Sequence, residues 1–392
     1  MKKIISILLT GLLITTVFSG CGNTEEKAEN SNSNAASSNA HEKESLNPIV
    51  LTDEIRELTD GFSAVRHTGD YGFDLFLEQG GASSDAEVVS FLMESGAADF
   101  GNLLFGGNPF GCSTLSVKNA AGDSLFGRNF DWNTCHAMVI QNHPENGYQS
   151  ISTVNTDFIH MSGISLSALP DEIQALAGLY APLDGLNEMG LAVSVNMIQD
   201  SATIEQNTDK PDITTTTAIR LLLDKAASVE EAIELLSSYD MHASFGYMVH
   251  FAIADRTGNS VVVEYVNNEM VVTETPAVTN FYLAEGEKNG IGTQQSHERY
   301  EILMNRLKDS ETMEMNDVRD ALDSVSKDNF AEFVRSSPNG LRSRGSSETD
   351  SERPVETTEW SIVMNQTTGE VRYYHREDYN TAYTFFVSRE AH

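Results

Sequence analysis

The sequence predicts an α+β fold in which antiparallel β-sheets are covered by layers of helices. Hydrophobic side chains make up 40% of the 392 residues and aromatic ones 8%, which is enough for a substantial core. Short segments of alternating polarity, separated by turns rich in Gly and Asn, are typical of β-hairpins. Segments with apolar residues at helical spacing lie between them, and strands and helices in this arrangement pack as layers.

The strand signals begin at Cys112. An alternating run from this residue turns at 121–123 and returns through 125–132, which is the pattern of a hairpin. Further strands are predicted at 149–156, 191–197, 247–254, 260–266, 269–274, 278–283, 360–364, 371–374 and 383–387.

Helices are predicted on both sides of Cys112. The pattern of residues 53–99 predicts mainly helix. The clearest helix in this region has Ser83 or Ser84 as its N-cap and ends at Gly96. Together with a Gly-rich linker before Cys112, this region defines a helical pro-segment at 48–111. Later helices are predicted at 215–227, 229–237, 298–308 and 316–325, and a surface loop at 338–354.

The charge of the chain excludes nucleic acid as a partner. There are 58 acidic and 25 basic residues, and the formal net charge is −33. No basic block occurs beyond the first three residues, so the electrostatic term that drives nucleic-acid binding is repulsive.

The N-terminus has the features of an export signal. Basic residues at 1–3 precede an apolar run that is too short for a membrane span, which predicts a signal peptide at 1–20. The run ends in a segment that resembles the lipobox of bacterial lipoproteins, so Cys21 is the expected lipidation site. Residues 21–47 lack large apolar side chains and predict a flexible tether. We therefore expect an extracytoplasmic protein, lipid-anchored to a bacterial membrane; the alternative is an ordinary secretory signal with an incidental cysteine.

Two cysteines remain, Cys112 and Cys135. A structural disulfide between them is one interpretation, since such bonds persist outside the cytoplasm. The other is a reactive Cys112, because cleavage between Gly111 and Cys112 would expose an α-amino group that can act as a general base near neutral pH. The return arm of the hairpin carries Arg128 and Asp131 close to this cysteine, and a neighbouring cation lowers the pKa of a thiol.

Other sites are poorly supported by the sequence. The histidines have no zinc-binding spacing, and no nucleophile elbow, phosphate-binding loop or calcium loop occurs, so neither a metal nor a cofactor is predicted. His250 lies in an apolar strand and is interpreted as a core histidine. Phe126, Phe130 and Trp132 are interpreted as packing residues.

Four motifs support a family resemblance. They are Cys112-Ser113-Thr114 with Gly127-Arg128-Asn129-Phe130-Asp131-Trp132; Gly185-Leu186-Asn187-Glu188-Met189-Gly190-Leu191; Val278-Thr279-Asn280; and Ser296-His297-Glu298-Arg299-Tyr300. In these motifs the chain resembles the choloylglycine hydrolase superfamily of N-terminal nucleophile hydrolases. That group includes conjugated bile acid hydrolases, penicillin V acylases, acid ceramidase and N-acylethanolamine acid amidase. The resemblance extends from Cys112 to the C-terminus.

The resemblance implies a four-layer αββα catalytic domain at 112–392 that hydrolyses a linear amide. In this interpretation Cys112 is the nucleophile, freed by self-cleavage after Gly111. Asp131 orients its amine, and Arg128 favours the thiolate.

The resemblance also implies residues that surround the reacting carbonyl. Asn280, with Asn196, would donate hydrogen bonds to the oxyanion, and Arg299 would supply positive charge. Two alternatives stay open: Arg299 pairs with Glu298 or Glu301, and Asn196 is an ordinary strand-end residue.

The pro-segment distinguishes this chain from bile acid hydrolases and penicillin V acylases, which have little sequence before the nucleophile. Ceramidase-like members keep such a segment as an associated α-chain after self-cleavage. We therefore expect a self-processing cysteine amidase for an N-acyl, lipid-like or bile-salt-like amide. The alternatives are an acyltransferase of the same fold and a lipid-tethered binding protein with a disulfide between Cys112 and Cys135.

Overall fold

Two β-sheets packed face to face form the centre of the computed structural model, which describes residues 48–94, 111–161, 164–330 and 356–388. The sheets meet through polar as well as apolar side chains: Arg128 of one sheet pairs with Asp184 of the other. The predicted signal peptide, the lipidation site, the tether, the linker before Gly111 and the loop at 338–354 lie outside the described residues.

The larger sheet has nine strands in the order β1-β2-β5-β6-β9-β10-β13-β14-β15. Neighbouring strands are antiparallel except β2 and β5, which are parallel. Their bounds are β1 Arg56–Thr59, β2 Phe62–Thr68, β5 Ala137–His143, β6 Ser150–Asn155, β9 Asp184–Asn187, β10 Ala192–Met197, β13 Val249–Ala254, β14 Ser260–Val266 and β15 Glu269–Glu274.

The smaller sheet has six antiparallel strands in the order β16-β3-β4-β17-β18-β19. Their bounds are β3 Gly111–Lys118, β4 Ser124–Asn133, β16 Ala277–Val278, β17 Glu356–Asn365, β18 Glu370–His375 and β19 Tyr383–Phe386. Two further pairs are β7 His160–Met161 with β8 Ile164–Ser165, and β11 Asp212–Thr214 with β12 Asp240–His242.

Helices cover the outer faces of both sheets. The helices α3, α4 and α5 pack on the nine-stranded sheet, and α6 and α7 pack on the six-stranded sheet. The resulting order of layers is αββα, as the sequence predicts. The helix bounds are α1 Phe73–Glu78, α2 Asp85–Glu94, α3 Asp171–Leu179, α4 Thr215–Lys225, α5 Val229–Ser237, α6 Gln294–Asp309 and α7 Met315–Asp323.

Alternation along the central strands assigns each side chain to one core. In β4, Phe126 and Phe130 face the core between the sheets, whereas Leu125 faces the core beneath α6 and α7. Successive side chains of a strand point to opposite faces, so a sheet covered on both sides needs apolar residues on both. Each such fully buried side chain contributes roughly 1.5–3 kcal/mol to folding.

The pro-segment contains two strands that the helical prediction missed. Residues 56–68 form a hairpin that joins the nine-stranded sheet, and only α1 and α2 are helical. The missed signal is Asp60-Gly61 followed by buried Phe62, Ala64 and Val65, because Gly61 takes a left-handed φ of 75° at the turn. The described residues of this segment, 48–94, consequently belong to the same compact unit as the rest of the described chain.

The other differences concern the edges of elements. The strand predicted at 278–283 ends at Val278, and α6 begins at Gln294, where the Thr293 side chain caps it. No strand or helix is predicted within 133–145 or 160–182, where the structure has β5 and α3. Among the described residues, no helix has the length and apolarity of a membrane span.

A glycine substitution tests how the pro-segment is held. Gly81 has a φ of 73°, and a Cβ there would overlap the carbonyl oxygen of Asp212. Gly80 has a φ of 98° with open space around it. We expect Gly81→Ala to lower the free energy of unfolding by about 3 kcal/mol or more, and Gly80→Ala by about 1–2 kcal/mol. Urea unfolding followed by circular dichroism measures both, and equal losses would contradict the described contact.

Candidate active site

The proposed nucleophile lies at the start of β3, between the two sheets. Cys112 is fully buried and faces Phe130 across the β3–β4 ladder. Its Sγ lies 3.8 Å from Arg128 Nη2 and 3.9 Å from the carbonyl oxygen of Val195 on β10. Both sheets therefore contribute to the surroundings of the thiol.

Arg128 has other partners besides the thiol. Its Nη1 pairs with the Asp184 carboxylate and donates to the Leu183 carbonyl at 2.8 Å, and its Nη2 donates to the Val195 carbonyl at 2.9 Å. Asp184 also accepts a hydrogen bond of 3.0 Å from Trp360 Nε1. The positive charge of Arg128 is thus largely neutralised by Asp184.

Burial has the largest effect on the thiol. It raises the pKa of Cys112, and the nearby charge of Arg128 lowers that pKa by less. In the chain with its peptide bond before Cys112 intact, desolvation therefore outweighs the effect of Arg128.

Asp131 lies against the residue that precedes the nucleophile. Its Oδ1 accepts a 2.7 Å hydrogen bond from Thr358 Oγ1, and its Oδ2 accepts one of 3.1 Å from Arg299 Nη1. A Cβ on Gly111 would overlap Asp131 Oδ2, so only glycine allows this approach. The carboxylate is therefore beside the peptide bond predicted to be cleaved.

Arg299 connects these groups. Besides Asp131, its Nη1 donates to the Cys112 carbonyl oxygen at 3.0 Å and to Ser113 Oγ at 2.8 Å, and its Nη2 donates to Asn280 Oδ1 at 2.7 Å. The guanidinium thus lies in the site, where Asp131 is its acidic partner rather than Glu298 or Glu301.

The Asn280 side chain holds the nucleophile through its backbone. Its Oδ1 accepts a 2.7 Å hydrogen bond from the Cys112 N–H, and its Nδ2 donates to the Met197 carbonyl at 2.6 Å. The amide is therefore occupied on both sides while Gly111 and Cys112 are joined. Its role as an oxyanion donor stays a prediction.

Asn196 lies on the inner face of the nine-stranded sheet. It is fully buried, and its Oδ1 accepts a 3.3 Å hydrogen bond from Ser194 Oγ. Its Nδ2 has no hydrogen-bond partner among the described residues. A buried donor in this state is available for a ligand or a water molecule. Its assignment to the oxyanion site also stays a prediction.

Both remaining cysteines are free thiols in the structure. Cys135 is buried beyond the end of β4, where its N–H donates to Glu359 at 2.9 Å. Burial raises its pKa well above the ordinary value, and the Glu359 carboxylate adds to the effect. The alternative of a disulfide between Cys112 and Cys135 is therefore wrong.

The sequence prediction missed several residues of the site. Asp184 and Thr358 bind Arg128 and Asp131, yet no motif marks them, because their partners are distant in sequence. The carbonyl groups of Val195 and Met197 carry no sequence signal at all. Within the described ranges, no group of three His, Cys, Asp or Glu side chains is arranged to hold a metal ion.

The four-layer fold, with a cysteine at the start of an inner strand, defines the N-terminal nucleophile hydrolase class. Residues 112–321 match the family model described as linear amide C-N hydrolases, choloylglycine hydrolase family. The chain belongs to this family and is a hydrolase of the carbon–nitrogen bonds of linear amides. Among curated protein sequences, none matches this chain.

Solved structures share the fold. A mutant of conjugated bile acid hydrolase from Clostridium perfringens is 19% identical, with a TM-score of 0.50 over 71% of this chain and 93% of that chain. Another variant of that enzyme is 18% identical, with a TM-score of 0.49 over 71% and 94%. Penicillin V acylase from Agrobacterium tumefaciens is 15% identical, with a TM-score of 0.40 over 67% and 83%.

Thiol counting tests the state of the cysteines. In protein that begins after Cys21, unfolded without reductant, we expect two reactive thiols per chain, and one in a Cys135→Ala variant. In the native protein we expect Cys135 to react slowly, since it is buried and its pKa is raised. If the unfolded protein had no free thiols, Cys112 and Cys135 would form a disulfide and the free-thiol assignment would be wrong.

Proposed function

We propose that the protein is a self-processing cysteine amidase that hydrolyses a linear N-acyl amide through Cys112. The observation that carries the proposal is the placement of this residue. Its sulfur lies beside Arg128, its N–H is held by Asn280, and the residue before it abuts Asp131. The proposed nucleophile, the amine that cleavage would create and the Asp131 carboxylate therefore all lie at or beside Cys112.

In the proposed processing step, the Cys112 thiol attacks the carbonyl carbon of Gly111. A thioester forms between Gly111 and the sulfur, the peptide C–N bond breaks, and the departing nitrogen takes the thiol proton. Water then hydrolyses the thioester to a Gly111 carboxylate and restores the thiol. The products are a new α-amine on Cys112 and a new carboxyl terminus on Gly111.

In the proposed reaction with substrate, the freed amine accepts the thiol proton as the sulfur attacks the amide carbonyl. This supplies the thiolate that burial disfavours, because the base lies on the same residue. The leaving amine takes the proton, and water hydrolyses the acyl thioester. Oxyanion donors such as Asn280 and Asn196 contribute about 3 kcal/mol each in sites of this kind.

Aromatic side chains near the nucleophile favour an apolar acyl group. Phe130 lies opposite Cys112, and its ring centroid is 6.4 Å from that of Trp132. Trp132 contacts Phe158 edge to face at 5.2 Å, and Phe158 contacts Phe245 at 5.5 Å. Phe130, Trp132 and Phe158 are buried and Phe245 is only partly buried, so a fatty-acyl, aryl-acyl or steroid group would contact this row at its Phe245 end.

The location belongs to the proposal as well. We infer export by residues 1–20 and lipid attachment at Cys21, so that the enzyme acts at the outer surface of a bacterial membrane. The support is the sequence of the first 47 residues.

Self-cleavage and amidase activity are expected to disappear together in Cys112→Ala. Wild-type protein should yield a chain beginning Cys112-Ser113-Thr114, found by N-terminal sequencing and intact mass. It should release amine from a fluorogenic dodecanoyl amide, a glycine-conjugated bile salt or phenoxymethylpenicillin. We expect at least about a 1,000-fold loss of activity in the variant.

The control is Cys135→Ala, which should process and hydrolyse normally because Cys135 is outside the site. An uncleaved wild-type protein would contradict self-processing. A cleaved protein that transfers the acyl group to an added amine in preference to water would indicate the acyltransferase.

We also infer that the pro-segment stays bound after cleavage. All seven residues of β2 pair with β5. The Tyr71 hydroxyl donates to the buried Asp224 carboxylate, and Lys225 pairs with Asp74 at 2.7 Å. Strand pairing, a buried hydrogen bond and an ion pair therefore all join the segment to the catalytic part.

The two chains are thus expected to co-elute in native size-exclusion chromatography and to separate only in denaturant. Tyr71→Phe should lower the urea concentration at which they separate, because Asp224 loses a buried donor, at a cost of about 1–3 kcal/mol. Tyr239→Phe, after α5, serves as a control. Release of the pro-segment without denaturant would refute retention.

A further inference from the structure

A buried histidine and glutamate lie beside the candidate site without a role in the proposed reaction. His250 on β13 and Glu264 on β14 are both fully buried. His250 is directly opposite Asn196 in the β10–β13 ladder, so the two side chains point to the same face of the sheet. The sequence identifies His250 only as a core residue.

Both ring nitrogens of His250 face acceptors. Nε2 lies 2.7 Å from the Thr279 carbonyl oxygen, and Nδ1 lies 3.0 Å from Glu264 Oε1. A carbonyl oxygen can only accept, so Nε2 carries a proton.

The Glu264 carboxyl group is held by three groups. Its Oε1 accepts a 3.0 Å hydrogen bond from the Leu283 N–H and lies 3.0 Å from His250 Nδ1, and its Oε2 accepts one of 2.6 Å from the Ala284 N–H. The pair therefore connects β13 and β14 to the backbone at residues 283 and 284.

The pair holds both ends of one irregular stretch. His250 binds Thr279, and Glu264 binds Leu283 and Ala284. The chain between these contacts is the part of the predicted strand that does not form, so the β-ladder does not fix it. Asn280, which binds the N–H of Cys112, lies inside this stretch.

We propose that His250 and Glu264 are positioning residues that hold Asn280 against Cys112. The proposal rests on the proposed function only in the experiment that measures self-cleavage. The pair acts through the backbone of 279–284 and touches neither the thiol nor the peptide bond after Gly111.

Substitutions at His250 and Glu264 distinguish a positioning role of this pair from a role in packing alone. Glu264→Gln keeps the shape, yet its amide nitrogen cannot accept the hydrogen bond of one backbone N–H. His250→Gln leaves the buried Glu264 carboxyl group without its imidazole partner. The double variant His250→Gln with Glu264→Gln removes that carboxyl group and allows an amide to amide hydrogen bond, so it should recover part of what His250→Gln loses.

The exchange and NMR measurements use the Cys112→Ala variant as the parent protein, because they require neither self-cleavage nor amidase activity. We expect Glu264→Gln to raise hydrogen exchange at residues 111–114 and 279–284 by about tenfold or more, and the exposed Glu274→Gln to change neither. Nitrogen NMR of His250 in the same background should show a protonated Nε2, with the signal assigned by its loss in His250→Gln. In chains with Cys112 intact, Glu264→Gln should slow self-cleavage by a similar factor, and the double variant should cleave faster than His250→Gln.

Unchanged exchange at 111–114 in Glu264→Gln would overturn the positioning role, and so would an unprotonated Nε2 on His250. Self-cleavage at the wild-type rate in Glu264→Gln would do the same. If the wild-type chain neither cleaves nor hydrolyses amides, the proposed function fails, whereas the exchange and NMR results still decide whether His250 and Glu264 hold Asn280.

Discussion

The buried ion pair between Arg128 and Asp184 is the interaction on which the site depends. It joins the two sheets beside Cys112, and Nη1 and Nη2 of Arg128 also donate to the carbonyl groups of Leu183 and Val195. Loss of either partner would leave an uncompensated charge in the core, which costs about 3–5 kcal/mol. Burial raises the pKa of the Cys112 thiol, and the charge of Arg128 and its contact with the sulfur offset part of this rise.

The site is therefore built across the interface between the sheets. The smaller sheet supplies Cys112 and Asp131, the latter directly opposite Gly111, and the larger sheet supplies backbone carbonyl groups and Asn196. The chain after β16 adds Asn280, and α6 adds Arg299. Most buried polar groups of a protein have a hydrogen-bond partner, and three atoms of this network, Arg128 Nε, Asp184 Oδ1 and Asn196 Nδ2, have none among the described residues.

The segment before the nucleophile is an integral part of this architecture. Its hairpin forms the edge of the nine-stranded sheet, and α1 adds aromatic rings that pack around Tyr180. A cut before Cys112 would leave these contacts intact, because the strand pairing of β2 with β5 does not depend on the peptide bond after Gly111.

The sequence by itself determined the layered α+β class, most strands after Cys112, and the grouping of Cys112, Arg128 and Asp131, because a hairpin brings its two arms together locally. Motif resemblance added Asn280 and Arg299. Only the tertiary structure decided that Asp184 neutralises Arg128, that Asp131 meets Thr358, and that residues 56–68 join the larger sheet. Those contacts link residues far apart in sequence, and burial determines their energies. Periodicity and local propensity carry no information about either.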